Sequence, residues 1–211
     1  MKKRGIAVLL AVGSALCLSA CVGGFTTEDA QNYVQSALDA SYKADFEEYV
    51  EQTNSTQEEA EAMFQQNIDN VLAGIGLEEA GVSDELVQQY RDVADDLLDL
   101  ANYEVTGAEE TEDGFAVEVA YEPFVGYDNL NAGLETVLTD IASSMTEVPS
   151  DEELNQIIYE EILKLVQQMV DEPSYGEQEN FTIHINKDSG NVYTINEDDL
   201  VALDLAMFSG E

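Results

Sequence analysis

From residue 26 to about residue 100, apolar side chains recur at intervals of three and four, the spacing of amphipathic helices. A first helix is predicted to open at Thr26 or Thr27 and to break at residues 43–45. Residues 55–58 read Ser-Thr-Gln-Glu, a capping box that predicts the start of a further helix. Ser83 is the predicted cap of the next helix. Four tyrosines on these stripes are predicted at the edge of the core: Tyr33, Tyr42, Tyr49 and Tyr90.

Two later runs alternate between apolar and polar residues, which predicts β-strands. The first run spans residues 103–121 and is divided by Asp113-Gly114, a hairpin turn signal. The second run spans residues 181–195 and turns at Ser189-Gly190. Each run therefore predicts an antiparallel hairpin with one buried face.

Helical periodicity returns between the two hairpins. Apolar stripes over residues 130–145 and 154–169 predict two helices. The second of them opens with a capping box at residues 150–153 and is stopped by Pro173. Asn196 is the predicted cap of a last short helix.

The chain thus shows two blocks of helices followed by a hairpin, at residues 26–122 and 124–208. The blocks could be weak internal repeats, but a single domain over residues 26–211 is the simpler account. The fold class predicted is α+β, with several helices packed on one face of a four-stranded antiparallel sheet.

The N-terminus has the organisation of an export signal. Three basic residues at positions 2–4 precede fourteen uncharged, mostly apolar residues, 5–18. A membrane-spanning helix needs about 20 apolar residues, so this run is too short to be one. Residues 1–20 are therefore predicted to be a signal peptide.

The processing site resembles a known motif. Leu18-Ser19-Ala20-Cys21 resembles the lipobox of bacterial lipoproteins, with Leu three residues before Cys and small residues between. The resemblance implies that a diacylglyceryl group is joined to the Cys21 sulfur and that the chain is cleaved before it. Cys17 departs from the pattern, because bulky Leu16 precedes it. Residues 21–25 then form a lipidated tether, which predicts an extracytoplasmic protein anchored to the cell membrane, with acyl chains such as palmitate.

Charge limits the partners of the exported part. The first 20 residues contain three of the seven basic residues and none of the 45 acidic residues, so four basic residues remain and the net charge is −41. Such a surface repels nucleic acid and anionic headgroups. Besides the membrane held through the lipid, the charge-complementary partner is a basic protein or peptide.

Catalytic and metal-binding patterns are weak. His184 is the only histidine and is predicted on the solvent side of a strand, so it supports neither a catalytic triad nor a zinc site. Residues 186–191 predict a β-turn rather than a calcium loop. We therefore expect no enzyme activity, no cofactor, no metal site and no catalytic residue. The alternatives are a cell-surface hydrolase with paired carboxylates and a calcium-binding surface protein.

Two wider resemblances concern fold and location. The first helix, the Lys43-Ala44-Asp45 break and the later hairpins resemble small exported domains of the nuclear-transport-factor-two-like type. That resemblance implies a cone-shaped fold whose sheet and helices could enclose an apolar pocket. The chain is also similar to lipoproteins of low-GC Gram-positive bacteria, which implies a location and not an activity. Together these features predict a non-enzymatic binding or envelope-organising role.

Overall fold

The computed structural model describes residues 24–144 and 149–208, and Cys21 and the signal segment 1–20 lie outside them. The helices are α1 Thr27–Tyr42, α2 Glu47–Thr53, α3 Gln57–Ile75, α4 Leu77–Ala80, α5 Asp84–Asp99, α6 Tyr127–Ser144, α7 Asp151–Asp171 and α8 Glu197–Phe208. The strands are β1 Asn102–Thr111, β2 Gly114–Glu122, β3 Glu179–Lys187 and β4 Tyr193–Ile195.

The four strands form one antiparallel sheet in the order β1-β2-β3-β4. Its centre joins the two hairpins, because β2 pairs with β3 from Gly114 opposite Asn186 to Tyr121 opposite Glu179. Helix α1 packs across β1 and β2, and α8 packs against β3. The predicted α+β class with a four-stranded antiparallel sheet is confirmed. The extent of the domain and of the signal segment stays a prediction.

Helix starts follow local side-chain chemistry. Thr26 caps α1 and Ser150 caps α7, each in a complete capping box as the sequence predicts. The box predicted at residues 55–58 is wrong by one residue, since Thr56 caps α3 and pairs with Glu59. Ser55 instead lies 2.5 Å from the Thr53 hydroxyl at the end of α2. Both registers carry the same sequence pattern, so only the preceding helix end selects between them.

The core lies between α1, α8 and one face of the sheet. Strand β2 turns Val117 and Val119 to this side, and both are 0% exposed. Ala116 and Ala120, on the opposite face, are also buried. The four stripe tyrosines are fully buried rather than at the core edge. The largest side chains of the described residues that are almost completely buried are Tyr33, Tyr42, Tyr49, Phe124, Phe208, Leu38, Leu86, Leu98, Ile183, Ile185 and Leu200.

Candidate functional site

The chain enters the domain at Phe25, four residues after the predicted lipidation site Cys21. The Phe25 ring stacks on Tyr193, with ring centroids 4.3 Å apart and planes at 23°. It also meets Phe115 edge-on, with centroids 5.3 Å apart. Aromatic pairs of this geometry contribute about 0.5–1.5 kcal/mol beyond the area that they bury. The segment between Cys21 and the folded domain is therefore only three residues long.

Both partners of Phe25 lie at the same end of the sheet, which we call the anchor end. Phe115 is the second residue of β2, and Tyr193 is the first residue of β4. The two hairpin turns meet here, because the amide of Lys187 donates to the carbonyl oxygen of Asp113 over 2.9 Å. Four extended residues span at most about 14 Å. This length limits how far position 21 can be from Phe25, which is itself fixed to the end of the sheet that carries the hairpin turns.

The anchor end has one cation among carboxylates. Lys187 lies over the Tyr193 ring, with Nζ 5.4 Å from its centroid. In the second turn, the Asp188 carboxylate accepts the amides of Gly190 and Val192 over 2.7 and 2.8 Å. The carboxylate therefore holds a β-turn together, which is the interpretation that the sequence favours over a calcium loop. Among residues 24–144 and 149–208, no group of three or more metal-ligating side chains is assembled.

His184 lies on the outer face of the sheet, as predicted. Its side chain is 52% exposed, and Nδ1 lies 2.8 Å from the carboxylate of Asp199. The same carboxylate oxygen accepts the backbone amide of His184 over 2.8 Å. Asp199 belongs to the first turn of α8, so the pair fixes α8 to the edge of β3. The spacing of residues in the sequence does not predict this contact. The contact forms because β4 folds back along β3 and places the start of α8 beside His184.

A buried carboxyl group was not foreseen from the sequence. Asp204 is 1% exposed, and its Oδ1 accepts a hydrogen bond from the Tyr42 hydroxyl over 3.3 Å. Its Oδ2 is buried and has no hydrogen-bond partner among the residues that the structure describes. Burial raises the pKa of Asp204 to about 8, so the carboxyl group is mostly protonated at neutral pH. The sequence does contain an indication of this burial. Asp204 lies four residues after Leu200 and four before Phe208, which places it on the apolar side of the helix.

Helices α6 and α7 form a groove at the opposite end of the sheet. A cavity of about 260 Å³ opens between them, and the residues that line it are Gly126, Leu130, Gly133, Leu165, Gln168, Met169 and Glu172. Gly133 allows the close approach, because a Cβ atom there would lie 3.0 Å from the methyl groups of Leu165. Leu138 on α6 is 50% exposed, and Ile157 on α7 is 37% exposed. We call this feature the α6–α7 groove.

A second hollow, of about 520 Å³, lies between α5 and α7. Two carboxylates line it, from Glu85 and Glu160, together with Lys164. The ammonium group of Lys164 is held 2.6 Å from the carboxylate of Glu161, one helical turn away. Glutamine amides and a serine hydroxyl form most of the rest of the lining, and the buried side chains of Leu86 and Leu163 supply its apolar part.

A comparison with solved structures finds a related fold. The chain matches the crystal structure of a predicted lipoprotein, ycdA, from Bacillus subtilis subsp. subtilis str. 168 with a TM-score of 0.56 at 14% identity. The match covers 87% of this chain and 56% of ycdA, so the chain spans little more than half of that structure. At this identity the likeness shows a shared fold alone. No protein-family model matches the chain, and no curated protein does.

No helix within the described ranges has both the length and the apolar composition needed to cross a bilayer.

Proposed function

We propose that this protein is an extracytoplasmic lipoprotein, held on the cell membrane by a lipid on Cys21, whose folded domain has a non-enzymatic binding or envelope-organising role. The packing of Phe25 against Phe115 and Tyr193 carries the proposal. It gives the lipobox cysteine a tether of three residues and a defined attachment point on the domain. The fold shared with ycdA, a predicted lipoprotein, supports the same location.

The short tether implies an orientation. Strand β2 runs from Gly114 at the anchor end to Glu122, a length of about 27 Å at 3.4 Å per residue. With the hairpin turns next to the bilayer, the start of α6 and the end of α7 face away from it. Because the net charge is −41, anionic headgroups repel the domain, and its far end is the part that a soluble partner reaches most easily.

The charge also defines the partner class. Residues 21–211 contain 45 acidic and four basic residues, a composition that complements a basic protein or peptide, and attraction of this kind raises association rates more than affinity. A hydrolase would need two carboxylates placed about a bound substrate. Glu85 and Glu160, which line the hollow between α5 and α7, are both exposed to solvent, and acids occur on all eight helices of the described part, mostly in exposed positions.

Lipidation is tested by feeding cells an alkyne analogue of palmitate and detecting the protein in membrane and medium. Cys21→Ser should abolish the label and release the protein from the membrane fraction. Cys17→Ser is the matched control, because it removes the other thiol of the chain and should leave label and location unchanged. Label retained by Cys21→Ser, or lost in Cys17→Ser, contradicts the assignment.

Orientation is tested with single cysteines, because lipidation of Cys21 leaves the exported chain without another thiol. Ser189→Cys places a fluorophore in the second hairpin turn, and Ser174→Cys places one beyond the end of α7. In vesicles with quencher-labelled headgroups, the fluorophore at 189 should be quenched more strongly than the one at 174. Equal quenching at both positions contradicts the proposed orientation.

A further inference from the structure

Among the described residues, helix α6 has extensive contacts with one neighbouring element. It packs mainly on α7, whereas α1 contacts two strands and two helices. The apolar stripe of α6 is wider than the surface that α7 covers. On this stripe, Leu134 and Val137 are half-buried and Leu138 is 50% exposed. Exposed Ile157 adds an apolar side chain from α7. An apolar stripe left open beside a groove is typical of a surface that another element covers.

The dimensions of the groove favour a side-chain anchor over a free small molecule. The cavity of about 260 Å³ is below the range of about 300–1,000 Å³ that small-molecule sites occupy. Its apolar lining comes from Leu130, Leu165 and Met169 on two antiparallel helices. A channel of this shape accepts apolar side chains that project from one face of a third helix, spaced at i, i+3, i+4 and i+7.

The charge around the groove is predominantly negative. Helices α6 and α7 together contain nine acidic residues and one basic residue, Lys164. Lys164 pairs with Glu161 and lines the hollow on the other side of α7, so it does not serve the groove. Glu172 is exposed and lines the cavity directly. Asp140 is exposed on α6, two turns after Gly133 and on the same side of the helix.

The negative charge around the groove favours one class of binding partner over the others. A second copy of this chain would bring another strongly anionic surface to the groove, and anionic lipid would bring negative headgroups, so both are repelled. A helix with apolar residues on one face and Lys or Arg along its sides satisfies the apolar floor and the acidic rim together.

We propose that the α6–α7 groove binds a cationic amphipathic helix, which inserts its apolar side chains between Leu130, Leu165 and Met169 and sets its basic side chains against the carboxylates of Glu172 and Asp140. This inference rests on the proposed function, since the anchor at Phe25 turns the groove away from the membrane. It names the surface and the partner chemistry of the binding role.

The test uses the full lipoprotein in nanodiscs of neutral phosphatidylcholine, with empty nanodiscs as the blank. The probe is a fluorescent peptide of Leu and Lys, about 15–20 residues long so that it can form a helix. A second peptide has the same charge, with Gln in place of Leu. Fluorescence anisotropy at about 0.15 M salt, where exposed charges more than about 8 Å apart are largely screened, should show at least about tenfold weaker binding of the Gln peptide.

Two charge-reversal variants locate the site. Glu172→Lys changes the rim, and Glu51→Lys makes the same change in the last turn of α2. Both positions are exposed and near a helix C-terminus, where Lys is favourable, so both variants should fold. Glu172→Lys should weaken binding of the Leu peptide by about fivefold or more, through like-charge contact, and Glu51→Lys by less than about twofold. Leu138→Lys should weaken it as well.

Equal loss in the two charge variants would overturn the groove assignment and leave only diffuse attraction to an acidic surface. Equal binding of the Leu and Gln peptides would do the same. A dimer of the unliganded protein that Leu138→Lys dissociates would overturn the choice of occupant. None of these results depends on where the lipid is attached, so failure of the anchor proposal is detected separately by the Cys21→Ser experiment.

Discussion

The sheet with α1 and α8 closes over nearly all its large apolar side chains, apart from Leu205 at 38% exposure, whereas the α6–α7 pair leaves both Leu138 and Ile157 exposed. Val117 and Ile183 in the sheet are 0% exposed, while Leu138 on α6 is 50% exposed. The sequence pattern is equally regular in both regions. The difference comes from the number of elements that pack at each surface. Several strands and helices enclose the apolar face of the sheet, whereas α7 provides most of the contacts of α6 in the described part of the chain. Regular apolar spacing therefore predicts a helix and does not by itself predict a sealed core.

The two regions also treat carboxyl groups differently. Asp204 lies inside the closed region, where burial raises its pKa to about 8. The carboxylates of Asp140 and Glu172 around the α6–α7 groove are exposed. A carboxyl group is therefore a buried, mostly neutral acceptor in the first region and a solvated charge in the second.

Truncating one apolar side chain in each region should give the largest contrast. Ile183→Ala removes buried methyl groups from the middle of β3 and should lower the free energy of unfolding by about 3–4 kcal/mol. Leu138→Ala should lower it by less than about 1 kcal/mol, because half of that side chain is already in solvent. Urea unfolding followed by circular dichroism measures both. Similar losses would show that α6 is closed over by the domain in solution.

The pH dependence of stability should report the buried carboxyl group. The pKa of Asp204 is raised from 3.8 to about 8 on folding, so the folded state holds the proton more tightly and stability falls as pH rises between these values. Between pH 5 and pH 8, the wild type should lose about 3 kcal/mol more than Asp204→Asn. Denaturant unfolding at several pH values measures the difference. Asp198→Asn, an exposed change on the same helix, should follow the wild type. Parallel curves for wild type and Asp204→Asn would contradict the burial of an ionisable group.

Removal of a helix cap should lower the free energy of unfolding by the same amount in both regions, because a cap is a local interaction. Thr26→Ala at α1 and Ser150→Ala at α7 should each lower the free energy of unfolding by about 1 kcal/mol. Ser143→Ala is the control. Its hydroxyl donates to the carbonyl of Thr139 within α6, and alanine there should be neutral or slightly stabilising. Unfolding in urea measures all three. A much larger loss for one cap than for the other would show that its helix end also depends on tertiary contacts.

The smallest expected effect has opposite signs at two alanines. Ala44 has φ 51° in the break after α1, a left-handed conformation that disfavours a Cβ atom. Ala44→Gly should therefore stabilise the protein by about 0.5 kcal/mol, since relief of strain exceeds the added flexibility of the unfolded chain. Ala142→Gly, on an exposed turn of α6, should destabilise it by about 1 kcal/mol. Calorimetric melting compares the two, and destabilisation by Ala44→Gly would contradict the strained geometry.

Local features of the fold were accessible from sequence because neighbouring residues decide them. The cap at Ser150 and the β-turn at Asp188 depend on side chains within four residues of the amides that they accept. The cap of α3 shows the boundary of this reasoning. Two overlapping capping patterns exist, and the contact of Ser55 with Thr53, from the end of a different helix, gives the cap to Thr56.

The candidate sites divide in the same way. The motif at Cys21 predicts the anchor without any structure, and the apolar stripes predict α6 and α7. The pairing of His184 with Asp199 and that of Asp204 with Tyr42 were not accessible, because 15 and 162 residues separate the partners. Their contacts are set by the return of β4 and by the packing of α8.

The sequence by itself determined the predicted cellular location, the helices, the two hairpins and the net negative charge that limits the partners. Each of these follows from short-range periodicity, a contiguous motif or composition. Only the tertiary structure decided that the hairpins share one sheet and that Phe25 joins the tether to its turn end. It also decided which apolar stripe is sealed and which stays open. These outcomes depend on the number of elements that meet at each surface, and contacts between residues distant in sequence determine that number.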